Sequence, residues 1–393
     1  MPANVQECEY LLHLLRCAAH DETPRSLPEG VTWGKIVSLS LQHSLACMTF
    51  LGAQPLVDTM RPDLAQKWEQ RNKRALSRYI NQEQELETLT AAFSAAGVVN
   101  MPIKGARFRR LFPHPEAREM TDLDILIHPD SFETADKLMR QMGYQSEHGA
   151  THHTVYCKRP HVIVELHHSL LPDYYSLGGY FNDCWKRALP TEHPNCFELS
   201  PEDEYIYMLA HAAKHYHRRG MGIRYIFDVY CYRTAFAGKL NEEYISEEIK
   251  KAGLTSFADA MEELAEAWFG ENAEAYTHTH TRALSEDAKQ MAYYVCNGST
   301  FGDSDNIESN AVRHYMSEGK SLKEARRTYL LSLIYPPLTA MREVYPVLNK
   351  APVLLPVCWV ARHLRLLFHK PKQILEKYHS VKEIKPYDST SEQ

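Results

Sequence analysis

The chain has 393 residues, 44% of them hydrophobic and 24% charged, with a net charge of −6; this is an ordinary globular composition, long enough for two or three domains of about 150 residues each. The negative balance excludes a duplex-binding surface spread over the whole molecule, although a local basic patch stays open. Nine scattered cysteines without a Cys-x-x-Cys pair, an N-terminus without a basic-then-apolar export signal, and a longest apolar run (Ala351 to Ala361) broken by Pro352 and Pro356 lead us to expect a cytoplasmic protein with no transmembrane segment.

From Val5 to about Ala96, apolar residues recur at three- and four-residue steps (Leu11, Leu12, Leu14, Leu15; Ile36, Leu39; Leu86, Leu89, Phe93). That spacing predicts helices, and Gly97 reads as a helix stop. The period then changes: Val98 to Ile103 and Thr121 to Ile127 read as strands. Asp130-Ser131-Phe132-Glu133 offers a cap with an acid three residues on, opening a helix that ends at Gly143. His161 to His167 predicts a third strand, with Val162, Val164 and Leu166 on one face and Ile163, Glu165 and His167 on the other. The middle of the chain is therefore strand, short helix, strand, helix and further strands. After Pro190 helical signals return, with Ser200 able to cap and Pro201 suited to a first turn. The remainder reads as helical, apart from a polar loop at Asn297 to Asn310 and a tail from Ser380 to Gln393 polar enough to fray. No internal repeat or low-complexity block is present. The fold class is α+β, a small mixed β-sheet core embedded between helical N-terminal and C-terminal regions.

Asp122 and Asp124 lie two apart, so in a strand their side chains share a face while Leu123 and Ile125 turn to the core. Paired carboxylates repel each other unless a cation relieves them, and such hard oxygen ligands suit Mg²⁺ together with substrate phosphates. Upstream, Ile103-Lys104-Gly105 runs from a strand into a short helix, where backbone N–H groups and an ammonium could receive phosphate oxygens. Lys104, followed by Arg107, Arg109 and Arg110, is read either as that contact or as a surface lysine. Arg118 stands just before the acidic strand, suited to a phosphate or to a structural carboxylate. Downstream, alternation puts Glu165 opposite Val164 and Leu166. Three acids on adjacent strands facing a phosphate cradle fit two-metal phosphoryl chemistry.

Met101-Pro-Ile-Lys-Gly-Ala, Leu111-Phe-Pro, Arg118-Glu-Met-Thr-Asp-Leu-Asp-Ile-Leu-Ile, Gly143-Tyr144 and Val164-Glu-Leu-His-His together resemble the bacterial uncharacterised nucleotidyltransferase family of the DNA polymerase β-like superfamily. The resemblance is strongest from about Leu89 to Leu170 and looser over the N-terminal helices and His211 to Tyr230. It implies a small mixed sheet with flanking helices and, together with the periodicity, leads us to expect a helical region at 1–88, a nucleotidyltransferase core at 89–190, a helical region at 191–379 and a flexible tail at 380–393. It also implies Asp122, Asp124 and Glu165 as catalytic, metal-binding carboxylates for Mg²⁺ or Mn²⁺ and an NTP as co-substrate, for which the residues themselves offer Lys104, Gly105 and Arg118 as contacts. The superfamily's usual Gly-Ser or Gly-Gly is here Lys104-Gly105, a replacement the family shares. The expected reaction moves an NMP to a hydroxyl or phosphate of an unidentified small-molecule or macromolecular acceptor and releases pyrophosphate.

Three rival readings stand beside it: a small-molecule kinase on the same site, a non-enzymatic nucleotide- or partner-binding module, and zinc hydrolysis through His211 and His215, whose spacing of four suits a metal on a helix face. His152, His153, His161, His167 and His168 default to hydrogen-bonded structural histidines. Arg224 and Asp228 read as an i, i+4 ion pair, and the resembled family's Arg-x-x-x-Asp at this place implies a role in shaping the site. The basic stretch Arg362, His363, Arg365, His369, Lys370, Lys372 and Lys377 reads first as a solvated helix face, and second as a membrane-surface or acidic-partner contact.

Overall fold

Helices open the chain because Leu11, Leu12, Leu14 and Leu15 all fall on the buried side of α1 (Val5–His20). Then come α2 (Trp33–Gln42), α3 (Ala46–Ala53) and the long α4 (Pro62–Ala95). Gly97 ends α4 at φ +70°. The N–H of Val98 reaches Phe93 O and that of Gly97 reaches Ser94 O, a closure that requires a left-handed residue and so favours glycine. The computed structural model describes residues 5–147, 153–159, 162–171, 179–218, 220–271, 284–296, 312, 321–345 and 347–369. His152, His161, the polar loop Asn297 to Asn310, Lys370, Lys372, Lys377 and the tail lie outside them.

The sheet follows: β1 (Asn100–Pro102), the short α5 (Gly105–Phe108), β2 (Leu123–Ile127), α6 (Phe132–Gln141), β3 (Gln145–Glu147), β4 (His153–Lys158) and β5 (Val162–His167). Its order is β1-β2-β5-β4-β3, with β2 and β5 parallel and the other pairs antiparallel. This is the small mixed sheet expected between helical regions. Two details differ. The N-terminal end of α6 has no side-chain cap: Asp130, the residue with an acid three further on, lies inside a short 3-10 turn (Pro129–Ser131) ahead of the helix, and Ser131 Oγ accepts from the Val99 N–H, stitching the helix to the entry of β1. A short hairpin, β6 (Leu189–Pro190) with β7 (Phe197–Glu198), follows the four-residue α7 (Cys184–Arg187) and precedes the returning helices.

Those helices are α8 (Pro201–Arg218), α9 (Ile223–Ala235), α10 (Glu242–Lys251), α11 (Thr255–Phe269), α12 (Glu286–Cys296), α13 (Leu322–Ile334), α14 (Leu338–Val344), α15 (Val347–Lys350) and α16 (Leu355–His369). Ser200 caps α8 by accepting from the Asp203 N–H.

All five residues of β2 are buried, since helices cover both of its faces. Leu123, Ile125 and Ile127 pack with Leu89 and Phe93 of α4 and Met139 of α6. Leu126, on the other face, joins a core shared by α1, α8, α9, α11 and α12. Asp124 has the parity of Leu126, so it faces the C-terminal helices.

Among the described residues no helix is long and apolar enough to cross a membrane. Arg362 and His363 donate to, or lie against, the carbonyls of Leu333 and Ile334, while Val353, Val357, Val360 and Leu364 are exposed.

Candidate active site

Register assembles the acids. In parallel pairing Asp124 stands beside Glu165, and in antiparallel pairing His167 stands opposite His153. Because neighbours in register share a face, Asp124, Glu165, His167 and His153 emerge together. Asp122, in the residue before β2, lines the same cleft. β2, with the residue before it, and β5 thus deliver the carboxylates expected from sequence, and β5 and β4 add two imidazoles.

Lys104 closes the group. It adopts φ +54° at the head of α5, which turns its ammonium back over the sheet, where Nζ donates to Asp124 Oδ1 at 2.6 Å and lies 3.2 Å from His167 Nε2. His167 Nε2 is 2.7 Å from the same Asp124 oxygen and 3.3 Å from Glu165 Oε2. His153 Nε2 is 3.6 Å from Glu165 Oε1. Gly105 is closely packed here: a Cβ would stand 2.6 Å from Met120 Sδ and 3.1 Å from Arg118 Nη1, so these side chains would have to shift.

The charges sort accordingly. Burial, then the neighbouring Asp124 and Glu165, push the Asp122 carboxyl up to about 6. Burial opposes ionisation of Asp124 too, but Lys104 and the His167 hydrogen bond hold its carboxyl well below the ordinary aspartate range. Glu165 follows the same pattern, burial being outweighed chiefly by the hydrogen bond to His167. Burial also works against the Lys104 charge, and Asp124 overcomes it, so the ammonium is held more firmly than a free lysine.

This donor set fits a divalent cation. A raised Asp122 beside two ionised acids is negative charge that one ammonium leaves incompletely neutralised, and hard carboxylate oxygens suit Mg²⁺ or Mn²⁺. Among the described residues His153, Glu165 and His167 form a group whose ligand atoms lie within 4.8 Å of one another, adding nitrogen donors next to the carboxylates. His211 and His215 belong to no such group: their Nε2 atoms are 3.2 Å apart, and burial holds His211 neutral, well below the ordinary histidine value.

A cleft of about 420 Å³ spreads over the acids and is walled by α4 (Arg71, Arg78), α8 (His211, Lys214, His215) and α9 (Arg224). Lys104, Gly105 and Arg118 also line it. Arg118, expected to meet phosphate or a carboxylate, donates through Nε and Nη2 to both oxygens of Asp228 at 2.8 and 2.9 Å. It also stands 5.6 and 5.7 Å from the ring centroids of Phe108 and Phe112. The Arg224–Asp228 ion pair read from helical spacing therefore does not form: Asp228 faces inward to Arg118, whose bidentate fork it matches better than an exposed neighbour one turn away. Arg107, Arg109 and Arg110 pair with Glu198 and Glu204, with Gln82 and Glu83, and with Glu83, and none lines the cleft.

The sequence reading gave His153 and His167 only a structural role and did not single out Arg71, Arg78 or Lys214. A signal existed for some of them. His153-Thr-Val-Tyr-Cys alternates as a strand would, and Lys214 follows His211 by three on the helix face that carries His211 and His215.

A search of curated proteins and a search of solved structures give no match. The sequence model described as "Uncharacterised nucleotidyltransferase" matches residues 29–270, which takes in the N-terminal helices from α2 onward, the whole sheet, and the α8–α9 wall. With more than half of its length matched, and with a small mixed sheet consistent with the polymerase β-like superfamily, the chain belongs to this nucleotidyltransferase family.

Proposed function

We propose that the chain is a divalent-metal-dependent enzyme that moves an NMP from an NTP to a hydroxyl or phosphate of an acceptor, with release of pyrophosphate. The observation that carries this reading is the register of β2 and β5, which sets Asp124 beside Glu165 and opens both, with Asp122, onto a cleft that also holds arginine and lysine side chains. Acidic and basic walls in one cavity suit a ligand that is itself polyanionic and metal-binding.

In this reading Asp122, Asp124 and Glu165 hold Mg²⁺ or Mn²⁺, with His153 and His167 close enough to bias the choice of ion. When bound, the ion supplies electrostatic stabilisation of the transferred phosphate. Lys104 neutralises Asp124 and lines the cleft beside the carboxylates, a cation within reach of an incoming phosphate. Glu165, held by His167 and His153, completes the acidic site or receives the proton of an acceptor hydroxyl. The walls from α4, α8 and α9 shape the acceptor's place.

The test incubates the purified chain with each NTP labelled on the α- or the γ-phosphate, Mg²⁺ or Mn²⁺, and an extract of the source cells. Transfer of α-label with pyrophosphate release, abolished in Asp122→Asn and Asp124→Asn variants that keep the wild-type circular dichroism, is the expected result. Transfer of γ-label with NDP release would make the reaction a phosphoryl transfer and overturn the nucleotidyl reading. Turnover unchanged in either variant would remove the aspartates from the chemistry.

A further inference from the structure

Two arginines of the cleft have opposite fates. Arg118 is neutralised by Asp228 in a buried bidentate pair. Arg224, which helical spacing would have given that same carboxylate, lines the cleft and forms no ion pair among the described residues. Its guanidinium lies 5.4 Å from the ring centroid of Tyr225, while its Nε is buried and makes no hydrogen bond. A buried donor left unsatisfied destabilises a fold unless something supplies the acceptor. Arg224 as a whole is only partly buried and contributes to the lining of the cleft. Lys214 lines it from α8, and the acids Asp122, Asp124 and Glu165 line it as well.

We propose that Arg224, with Lys214 on the same cleft, is a phosphate-binding locus, taking the terminal phosphates of a ligand whose metal-binding portion meets the carboxylates. The guanidinium fork matches a phosphate's oxygens in a way a point charge does not. Arg224 is also the second residue of α9, so a phosphate there meets the positive end of that helix. Arg118 makes this possible by engaging Asp228, the carboxylate that would otherwise occupy Arg224. The inference rests on the transfer reading only for the identity of the phosphate's owner, which is either the NTP or a phosphorylated acceptor.

The test measures by calorimetry the binding of tripolyphosphate, inorganic phosphate and each NTP, with Mg²⁺, to the full chain and to Arg224→Gln, Arg224→Lys and Lys214→Gln. Lys137→Gln, which removes a charge on exposed α6, is the control. Arg224→Gln should weaken tripolyphosphate binding about tenfold or more, Arg224→Lys less, and Lys137→Gln not at all. Loss for tripolyphosphate and NTP together assigns the locus to the nucleotide, whereas loss for inorganic phosphate with NTP unchanged assigns it to the acceptor. Affinities for all three probes equal to wild type in Arg224→Gln overturn the proposal. Should that variant fail to melt cooperatively, unchanged affinities in both Arg224→Lys and Lys214→Gln overturn it instead. Arg224-dependent binding in a chain without metal-dependent turnover would leave the locus standing and remove the transfer reading. Turnover with Arg224-independent binding would do the reverse.

Discussion

Asp122 is the carboxylate of the cluster with the weakest local support. Asp124 has Lys104 and His167 against it, and Glu165 has His167 and His153, whereas for Asp122 the lowering influences of Lys104 and Thr121 are outweighed by burial and by the other two acids. Its carboxyl is therefore pushed up to about 6. A carboxyl whose folded value is raised binds a proton more readily in the fold than in the unfolded chain. Stability then falls as pH rises through the window from the ordinary aspartate value to about 6, and is unaffected by this group below that window. A shift of about two units corresponds to roughly 3 kcal/mol at most. In metal-free protein, Asp122→Asn should accordingly be more stable than wild type at pH 7.5 by about 1–3 kcal/mol, and the difference should vanish below about pH 4. Urea unfolding in the presence of a chelator at the two pH values reads this directly. A variant no more stable than wild type at pH 7.5 would show that the repulsion is relieved some other way.

At the scale of elements, what the sequence made legible depended on whether the determining contacts were local. Alternation along β5 placed Glu165 opposite Val164 and Leu166, and β5 then pairs with β2 so that Glu165 meets Asp124. The α4 stop at Gly97 and the α8 cap at Ser200 were equally local. The cap expected at Asp130 does not form at α6, because Asp130 sits inside a 3-10 turn (Pro129–Ser131) capped by His128, and Ser131 Oγ is drawn to the Val99 N–H, 32 residues away, a partner no local window contains. The wall residues Arg71 and Arg78 lie seven apart on α4 and so share a face, yet nothing in α4 itself distinguishes them from its other exposed basic residues. Only the docking of that helix beside the sheet does. The Gly97 closure gives the element-scale prediction. Alanine at φ +70° is strained, so Gly97→Ala should lower stability by about 1 kcal/mol in chemical denaturation. Nucleotide binding should stay as in wild type, because Gly97 lies at the far end of β1 from Lys104. Unaltered stability would mean that α4 can end differently from the closure described.

The whole molecule is tied together by contacts far apart in sequence, of which Arg118–Asp228 is the most consequential. It joins the segment before β2 to α9 across 110 residues, and its side chains are only 6% and 2% exposed. The pair therefore fixes where the C-terminal helices stand over the acids, and with them the wall that carries Arg224. Two charges removed from water are costly, and their mutual attraction with good geometry roughly offsets that cost, so the intact pair contributes little net stability. Its disruption is another matter, because one partner left alone is a buried, uncompensated charge. Asp228→Asn should thus destabilise by about 3–5 kcal/mol, with Phe108 and Phe112 unable to replace the lost carboxylate for Arg118. Replacing both, as Arg118→Met with Asp228→Leu, should recover most of that loss, since apolar side chains of similar volume leave no charge stranded. Equilibrium unfolding of the wild type, both single variants and the double variant gives the coupling free energy of the cycle. If the pair is a positioning device, the recovered double variant should still bind nucleotide more weakly than wild type, because Arg224 loses the fixed frame of α9. A double variant as unstable as Asp228→Asn alone would mean that the hydrogen bonds themselves, rather than the avoidance of a stranded charge, hold α9 against the sheet.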